Sequence, residues 1–465
     1  MKPLMITLAI MLCLSVLKPQ SVNAQEFLAF SSDNYGGATS MFYQPASIVD
    51  SRYKFDMELF SFSTNIENNW WGIDRSVLFN ANSLGDSSFA KTYLSPMDNR
   101  DPKNVQQSFE VRLLSFMLNI SDKSAFGFSI RGRQMINFNN LDPDAANLIL
   151  GSDDVVSSNN KFSFQDMSQQ AVAWAEYGLT YSQVFLDNDK HFVKAGITGK
   201  LLQGMGAMYL YEKNLSYDVL NKDTLLSVEG DIRFGASSNF DELASFEFVA
   251  KPSIGVDFGF VYEYRPNHQD YREVEEENTS KWKKDANKYL FKVSFAVLDM
   301  GSMVFNKEMG SNDFKLSVDT FVLDDYTSGS IQDLSDSINS KNLVSSTDPT
   351  FKFKLPTTIN LNIDFKVMEN FYLNLSGIWA LNQGFDYIPK AHYLNSVSLS
   401  PRYEGKWLGA SMPMRINQFK QFNVGLGVRL GPLWIGSNNL LALTGLQNDI
   451  MSADLYFAIK IPIMY

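Results

Sequence analysis

The side chains best able to do chemistry in this 465-residue chain are charged and sit on the polar phase of alternating segments: Arg112, Arg131, Arg133, Glu176, Lys194, Asp257, Glu263, Lys292, Asp364, Lys366 and Arg429. Their signs are mixed. Opposite charges facing one another across a narrow interior form ion-pair networks that offset each other's desolvation, whereas an ion pathway has one sign dominating, so the structural reading is preferred over a selectivity filter. Catalytic patterns are missing. His191, His268 and His392 are far apart and form no HExxH pair, so they read as surface residues. Gly199-Lys200 resembles the end of a phosphate-binding loop, but Lys194 stands where its first glycine belongs and Leu201 where Ser or Thr belongs. Gly425-Leu426-Gly427 lies inside an alternating strand, with Gly431 one residue late for a dinucleotide turn, and reads as small lumen-facing residues that relieve crowding. Asp142, Asp144, Asp153 and Asp154, and Asp324, Asp325, Asp333 and Asp336, match no calcium loop and read as solvated loop surface. The expectation is no enzyme, no cofactor and no metal.

The elements that must hold those charges are strands. In residues 455–465, Leu455, Phe457, Ile459, Ile461, Ile463 and Tyr465 alternate with Tyr456, Ala458, Lys460, Pro462 and Met464. A period of two with one apolar face suits a strand that meets lipid outside and a wetter interior inside. Residues 356–381 read as a hairpin about Glu369-Asn370, and similar alternation marks residues 52–63, 109–119, 126–138, 171–185, 193–201, 254–264, 289–297 and 422–430. Short turns at Ser121-Asp122-Lys123, Asp187-Asn188-Asp189 and Asn221-Lys222-Asp223 contrast with long polar segments at 139–170, 266–288 and 324–350. That asymmetry predicts an all-β, closed antiparallel transmembrane β-barrel of about 14 strands, within a range of about 12 to 16, with short turns on one rim and long loops on the other.

Composition agrees with this class. Aromatics make up 14% of the chain and hydrophobic residues 45%, yet mean hydropathy is −0.15. Alternation hides apolar surface in that way. The formal net charge of −11, without a Lys/Arg cluster, makes a poor nucleic-acid binder. Lys2, the apolar run Leu4 to Leu17 and Val22-Asn23-Ala24 read as an export signal over 1–24, which would take away Cys13, the single cysteine. The expected division is a signal peptide at 1–24, an N-terminal segment at 25–51 and a barrel at 52–465, in the outer membrane of a Gram-negative cell. Its contacts there would be outer-membrane lipid and lipopolysaccharide, with the strand ending at Tyr465 offered to the barrel assembly machinery.

Before the first strand runs Gly36-Gly37-Ala38-Thr39-Ser40-Met41-Phe42-Tyr43-Gln44-Pro45-Ala46-Ser47-Ile48. A Gly-rich stretch, Asn-Pro-Ala and then a strand is a pattern of the long-chain fatty acid transporter (FadL) type of barrel and its PorV-type relatives in Bacteroidota, which this chain resembles, with Gln44 in place of the Asn. Residues 255–262 and 425–437 are similar to barrels of the same group. The resemblance implies an N-terminal plug or hatch crossing the lumen near Pro45. Proline fixes its backbone and lacks an N–H, and Ala46 and Ser47 allow close approach to the wall, so Tyr43, Gln44, Pro45, Ala46 and Ser47 are the candidate hatch; the alternative is a tight entry into the first strand. Two functions follow. A transport barrel would pass a hydrophobic or amphipathic small molecule and carry a greasy pocket beside the hatch. A docking barrel would hold a secreted or surface protein over a closed lumen. Trp70, Trp71 and Trp282 would serve either as membrane-interface anchors or as docking contacts.

Overall fold

Alternating side chains settle into strands because every second residue finds lipid and its neighbour finds the interior. The computed structural model describes residues 28–79, 92–97, 101–143, 146, 161–221, 224–237, 248–274, 280–307, 313–322, 344–346, 348–444 and 449–465. The export signal, residues 222–223 and all the acidic-loop positions except Asp142 lie outside the described residues.

Fourteen antiparallel strands close into a barrel. They are β1 (Tyr53–Asn68), β2 (Lys103–Asn119), β3 (Ser124–Leu141), β4 (Met167–Asn188), β5 (His191–Asn221), β6 (Ser253–Tyr264), β7 (Phe291–Asn306), β8 (Thr358–Met368), β9 (Phe371–Ala380) and β10 (Ser396–Glu404), followed by β11 (Leu408–Ser411 and Met414–Asn417), β12 (Phe422–Val424 and Leu426–Leu430), β13 (Leu433–Ser437) and β14 (Ser452–Met464). Each pairs with the next in sequence, and β14 returns to β1 through Tyr53↔Met464. Large apolar residues face outward around the wall, among them Leu113, Leu179, Ile197, Phe258, Phe365, Leu375, Leu399, Leu430 and Ile459. Such a belt is unlike the surface of a water-soluble protein and marks a membrane-spanning barrel. On β14 the outward set is Ile459, Ile461 and Ile463, while Tyr456, Ala458 and Lys460 are buried inside.

Tight turns join β4 to β5, β8 to β9 and β12 to β13 on the rim where β14 ends, through Asn188↔His191, Met368↔Phe371 and Leu430↔Leu433. In two of them Asn370 and Gly431 adopt φ of 64° and 57°, the left-handed geometry of a two-residue hairpin.

Four expectations need correction. Residues 266–288 read as one of the long loops of the far rim, but the segment joins β6 to β7, and its described parts, 266–274 and 280–288, lie on the short-turn rim. The segment 139–170 is partly strand, because β3 runs to Leu141, β4 begins at Met167 and Lys161–Phe164 is extended. β5 continues past residue 201 through the Gly-rich stretch at 204–207, where the pairing with β4 shifts register between Gly204 and Gly206 and then resumes. Residues 422–430 are interrupted at Gly425, whose N–H bonds the Pro413 carbonyl across a matching break in β11.

Candidate functional site

The interior is filled in layers. At the short-turn rim, Asp50 accepts from Lys288 and Arg265, each at 2.7 Å, and Arg52 donates to Asn287 Oδ1 at 2.6 Å and to the Lys284 carbonyl at 2.8 Å. Arg265 lies 3.6 Å over the Phe192 ring and 4.8 Å over that of Trp282, whose Nε1 donates to Asp187. Burial alone would push the Asp50 carboxyl up, but Lys288 and Arg265 hold it well below the usual carboxylate range. Burial pushes Lys288 down to about 7 despite Asp50 beside it.

Above this, residues 28–51 form 3-10 turns at Leu28–Phe30, Gly37–Phe42 and Pro45–Ile48 among the inward-facing side chains. Gln44 precedes the last turn, its Oε1 accepting from Ala46 N at 3.3 Å, and Pro45 begins it without needing a donor. The Gln44 amide also donates to the carbonyls of Phe260 and Phe295, at 3.3 and 3.0 Å, on the paired strands β6 and β7. Ser182 Oγ donates to the Pro45 carbonyl at 2.6 Å, Lys194 to the Val49 carbonyl at 2.8 Å, and Arg112 to the Tyr43 hydroxyl at 2.6 Å. Ala46 is fully buried. Two wall glycines make the approach possible: a Cβ on Gly196 would fall 2.6 Å from Ala46 N, and one on Gly259 would fall 1.8 Å from Gln44 Oε1. They face each other across β5 and β6. Both stood in view as glycines of alternating strands, and sequence reasoning gave neither a role; their shared register was the available signal.

The segment brings an apolar core into the lumen. Phe30, Met41, Phe42, Tyr43, Ile48 and Val49 pack with Tyr53, Met117, Phe192, Trp434 and Tyr456 of the wall. Beside it lies a polar cavity of about 40 Å³, lined in part by Asn34, Ser40, Gln44, Ser47, Lys194, Glu263 and Lys292. It has room for water. The greasy pocket expected of a transport barrel is not what lies there.

Toward the long-loop rim is a charged layer. Arg131 bonds Glu176 at 2.6 Å, Asp299 at 3.1 Å and Glu110 at 3.2 Å; Arg133 bonds Asp299 at 2.8 Å and Glu176 at 3.0 Å; Arg112 pairs with Glu110, and Lys200 with Asp299 and, at 2.7 Å, with Asp257. Separate clusters hold the other predicted charges. Asp364 meets Arg402 at 3.0 Å and Lys292 at 3.8 Å, Glu263 meets Arg265 at 2.6 Å and Lys194 at 3.6 Å, Arg429 meets Asp33 at 3.4 Å, and Lys366 reaches Tyr271 Oη at 3.0 Å near the short-turn rim. Among the charges central to these networks, Asp299 at a bulge and Arg265 just past a strand end lie where alternation gives no phase, whereas Lys200 and Arg402 share the inward phase of their strands and went unassigned. Asp299 has φ of 57°.

Beyond the charges, Trp174, Tyr209, Tyr211, Phe305, Phe351, Phe353 and Tyr393 form an aromatic layer, tied down where Arg133 donates to the Tyr393 hydroxyl at 2.6 Å. Against expectation, His392 is buried here, its ring bonded to Asn139 Oδ1 at 3.1 Å, and burial pushes it down to about 4. Trp70 and Trp71 are also buried, packed on each other with Trp70 on Phe138, so they are not exposed anchors; Trp282 belongs to the short-turn rim.

Residues 45–438 match the model described as "Family of unknown function (DUF5723)". No curated protein matches the chain. Solved structures with a similar course include a Pseudomonas aeruginosa FadL homologue (11% identity, 91% of this chain and 93% of that one, TM-score 0.40), a deletion mutant of the TodX monoaromatic hydrocarbon channel (10%, 93% and 95%, 0.43) and the Ralstonia pickettii toluene transporter TbuX (9%, 92% and 94%, 0.31). Likeness at this level carries no ligand or mechanism from those channels to this chain.

Proposed function

Because the chain belongs to the DUF5723 family, whose function is unknown, its role rests on its own lumen, and we propose that it is a gated outer-membrane channel for hydrophobic or amphipathic small molecules, closed at rest by residues 43–48. One observation carries this reading: the lumen holds an apolar, aromatic core where a water-filled pore would be polar. A local shift of Tyr43 to Ile48 would bare Met41, Phe42 and Phe192 to an incoming ligand while the charged layers stay paired. Each such buried side chain contributes about 1.5–3 kcal/mol, so the whole segment does not leave and a local rearrangement is the affordable motion. The Gln44 amide holds the hatch to the wall through hydrogen bonds to two backbone carbonyls, beside a small polar cavity.

The test is uptake of a fluorescent single-chain amphiphile by cells whose lipopolysaccharide otherwise excludes it. Expression of the barrel should raise uptake, and Gln44→Ala should raise it further. Uptake equal to that of cells without the barrel, for a protein verified as folded, would end this reading. A second reading, a docking barrel for a secreted or surface protein, is favoured by the packing of the N-terminal segment against the inner wall. Mass spectrometry of the purified barrel separates the two, since a stoichiometric lipid supports the channel and a tightly held protein supports docking.

A further inference from the structure

Near the long-loop rim, the outward chemistry of the wall around β7 changes with height. Beyond Gly301, β7 is flanked by two short strands, Ala250–Lys251 on one side and Thr350–Lys354 on the other. Lys251 and Lys352 pair with Val304 from opposite sides, and Lys354 pairs with Ser302 in the next row toward the short-turn rim. Met303, Phe305, Phe351 and Phe353 are buried in the aromatic layer, so Ser302, Val304, Lys352 and Lys354, which alternate with them, point away from the lumen. Lys251 shares their face, because directly paired residues lie on the same side of a sheet.

Below these rows the outward residues are apolar. Ile254, 75% exposed, and Met300 end the lipid-facing sets of β6 and β7, with Trp379 and Leu381 at the matching end of β9. Above them Asn306 and Thr350 form an exposed pair that is polar and uncharged. The wall therefore rises from apolar through cationic to neutral polar. Lys251 and Lys352 are exposed and meet no acid among the described residues, whereas Lys354 lies 3.7 Å from Asp386, whose nearer partner is Lys390 at 2.8 Å. Two strands separate Lys251 from Lys352, about 10 Å between Cα atoms, and Lys354 is about 7 Å farther along its strand. The chain as a whole carries −11, so this patch of opposite sign attracts anions only at short range.

A lone lysine at this height would simply snorkel from the wall to water. Three around Val304 fit a head that carries more than one phosphate, since an ammonium pairs with phosphate as a point charge, and the neutral row above fits sugar hydroxyls. In outer-membrane barrels the long loops face outward, which sets the lysines at the head-group level of the outer leaflet. We propose that this face binds a phosphorylated, multiply acylated sugar lipid of that leaflet, with its acyl chains on Ile254 and Met300, its phosphates on Lys251, Lys352 and Lys354, and its sugar against Asn306. The site lies on the outer wall and does not depend on whether the lumen conducts.

The test is lipid retention, read by native mass spectrometry of the folded barrel titrated in detergent with bisphosphorylated lipid A, the same lipid stripped of its phosphates, or phosphatidylglycerol. The wild type should bind the first at least tenfold more tightly than the other two. Lys251→Gln with Lys352→Gln should lose that tenfold, and Lys123→Gln with Lys190→Gln, exposed lysines of the short-turn rim, should keep it. The heat-induced mobility shift reports the folding of each variant, and the stripped lipid makes the same comparison on the wild type with no variant to fold. Equal affinity for the lipid with and without phosphates, or undiminished binding by the Lys251 and Lys352 variant, would overturn the site and leave only the apolar belt to hold acyl chains. Phosphatidylglycerol bound as tightly as the bisphosphorylated lipid would overturn the sugar-phosphate assignment, and an equal loss in the Lys123 and Lys190 variant would trace binding to total charge rather than to this face.

Discussion

The Gln44 side-chain amide lies 3.0 Å from the carbonyl oxygen of Phe295, bridging the N-terminal segment to the wall. Its longer side chain does what an Asn at this position would be too short to do. Gln44→Asn should therefore lose both wall carbonyls, Phe260 and Phe295, while keeping the turn at Pro45. The expected cost is about 1–2 kcal/mol, read as a lower temperature for the heat-induced mobility shift of the folded barrel, together with faster ligand uptake.

Gly259 offers a sharper perturbation of the same contact. A methyl group there would overlap Gln44 Oε1, and the opposite wall position, Gly196, presses on Ala46. Gly259→Ala should displace residues 44–46 without breaking the β5–β6 ladder. Limited proteolysis should then cut near Pro45 in the folded barrel, and an unchanged digestion pattern would mean that the glycine pair does not set the hatch position.

Asp299 tests the charged layer. It is shared by Arg131, Arg133 and Lys200, so Asp299→Ala leaves the buried layer with one positive charge in excess of its remaining carboxylates. The expected loss is about 3–5 kcal/mol, seen by denaturant unfolding in detergent. Asp299→Asn, which keeps the shape and some hydrogen bonds, should lose less. Loss of the same size for both variants would assign the effect to the charge that both remove rather than to packing and hydrogen bonding around the bulge.

His392 should make the long-loop rim acid-sensitive. Burial pushes its folded value down to about 4, below the ordinary 6.5. The unfolded chain therefore binds the extra proton between those two values, and stability falls as pH drops from about 6.5 toward 4, by a few kcal/mol at most. His392→Gln should flatten that part of the stability curve relative to the wild type.

The barrel was legible because lipid imposes a period of two that survives along most strands, as in residues 455–465 and 358–368. What stayed hidden breaks that period or depends on contacts across the lumen. Asp299 lies at a left-handed bulge, and the loop at 266–288 looks in sequence like any polar excursion although it returns beneath the barrel to Asp50. The Gly196–Gly259 pair becomes meaningful only once β5 and β6 are in register, which no local pattern specifies. Polar phase alone could place Arg131 and Glu176 indoors, but it could not say that they meet. The Trp70-Trp71 pair misled for a related reason, because aromatic residues near a strand end suit a buried contact as well as a membrane interface.

Lys288 provides the alkaline counterpart of His392. Burial and the neighbouring Arg52 and Arg265 oppose its charge while Asp50 favours it, and the balance sets it at about 7, below the ordinary lysine value of 10.5. Between those values the unfolded chain holds a proton that the folded chain has shed, so this group makes stability rise as pH climbs from about 7 toward 10.5 and takes it away on the return. Lys288→Met should remove that slope while sparing the Arg265–Asp50 bond. The decisive comparison is the difference between wild type and variant in unfolding free energy across that window: a difference that changes with pH locates the titration at Lys288, and a constant one assigns the lysine a purely structural part in holding the short-turn rim over the lumen.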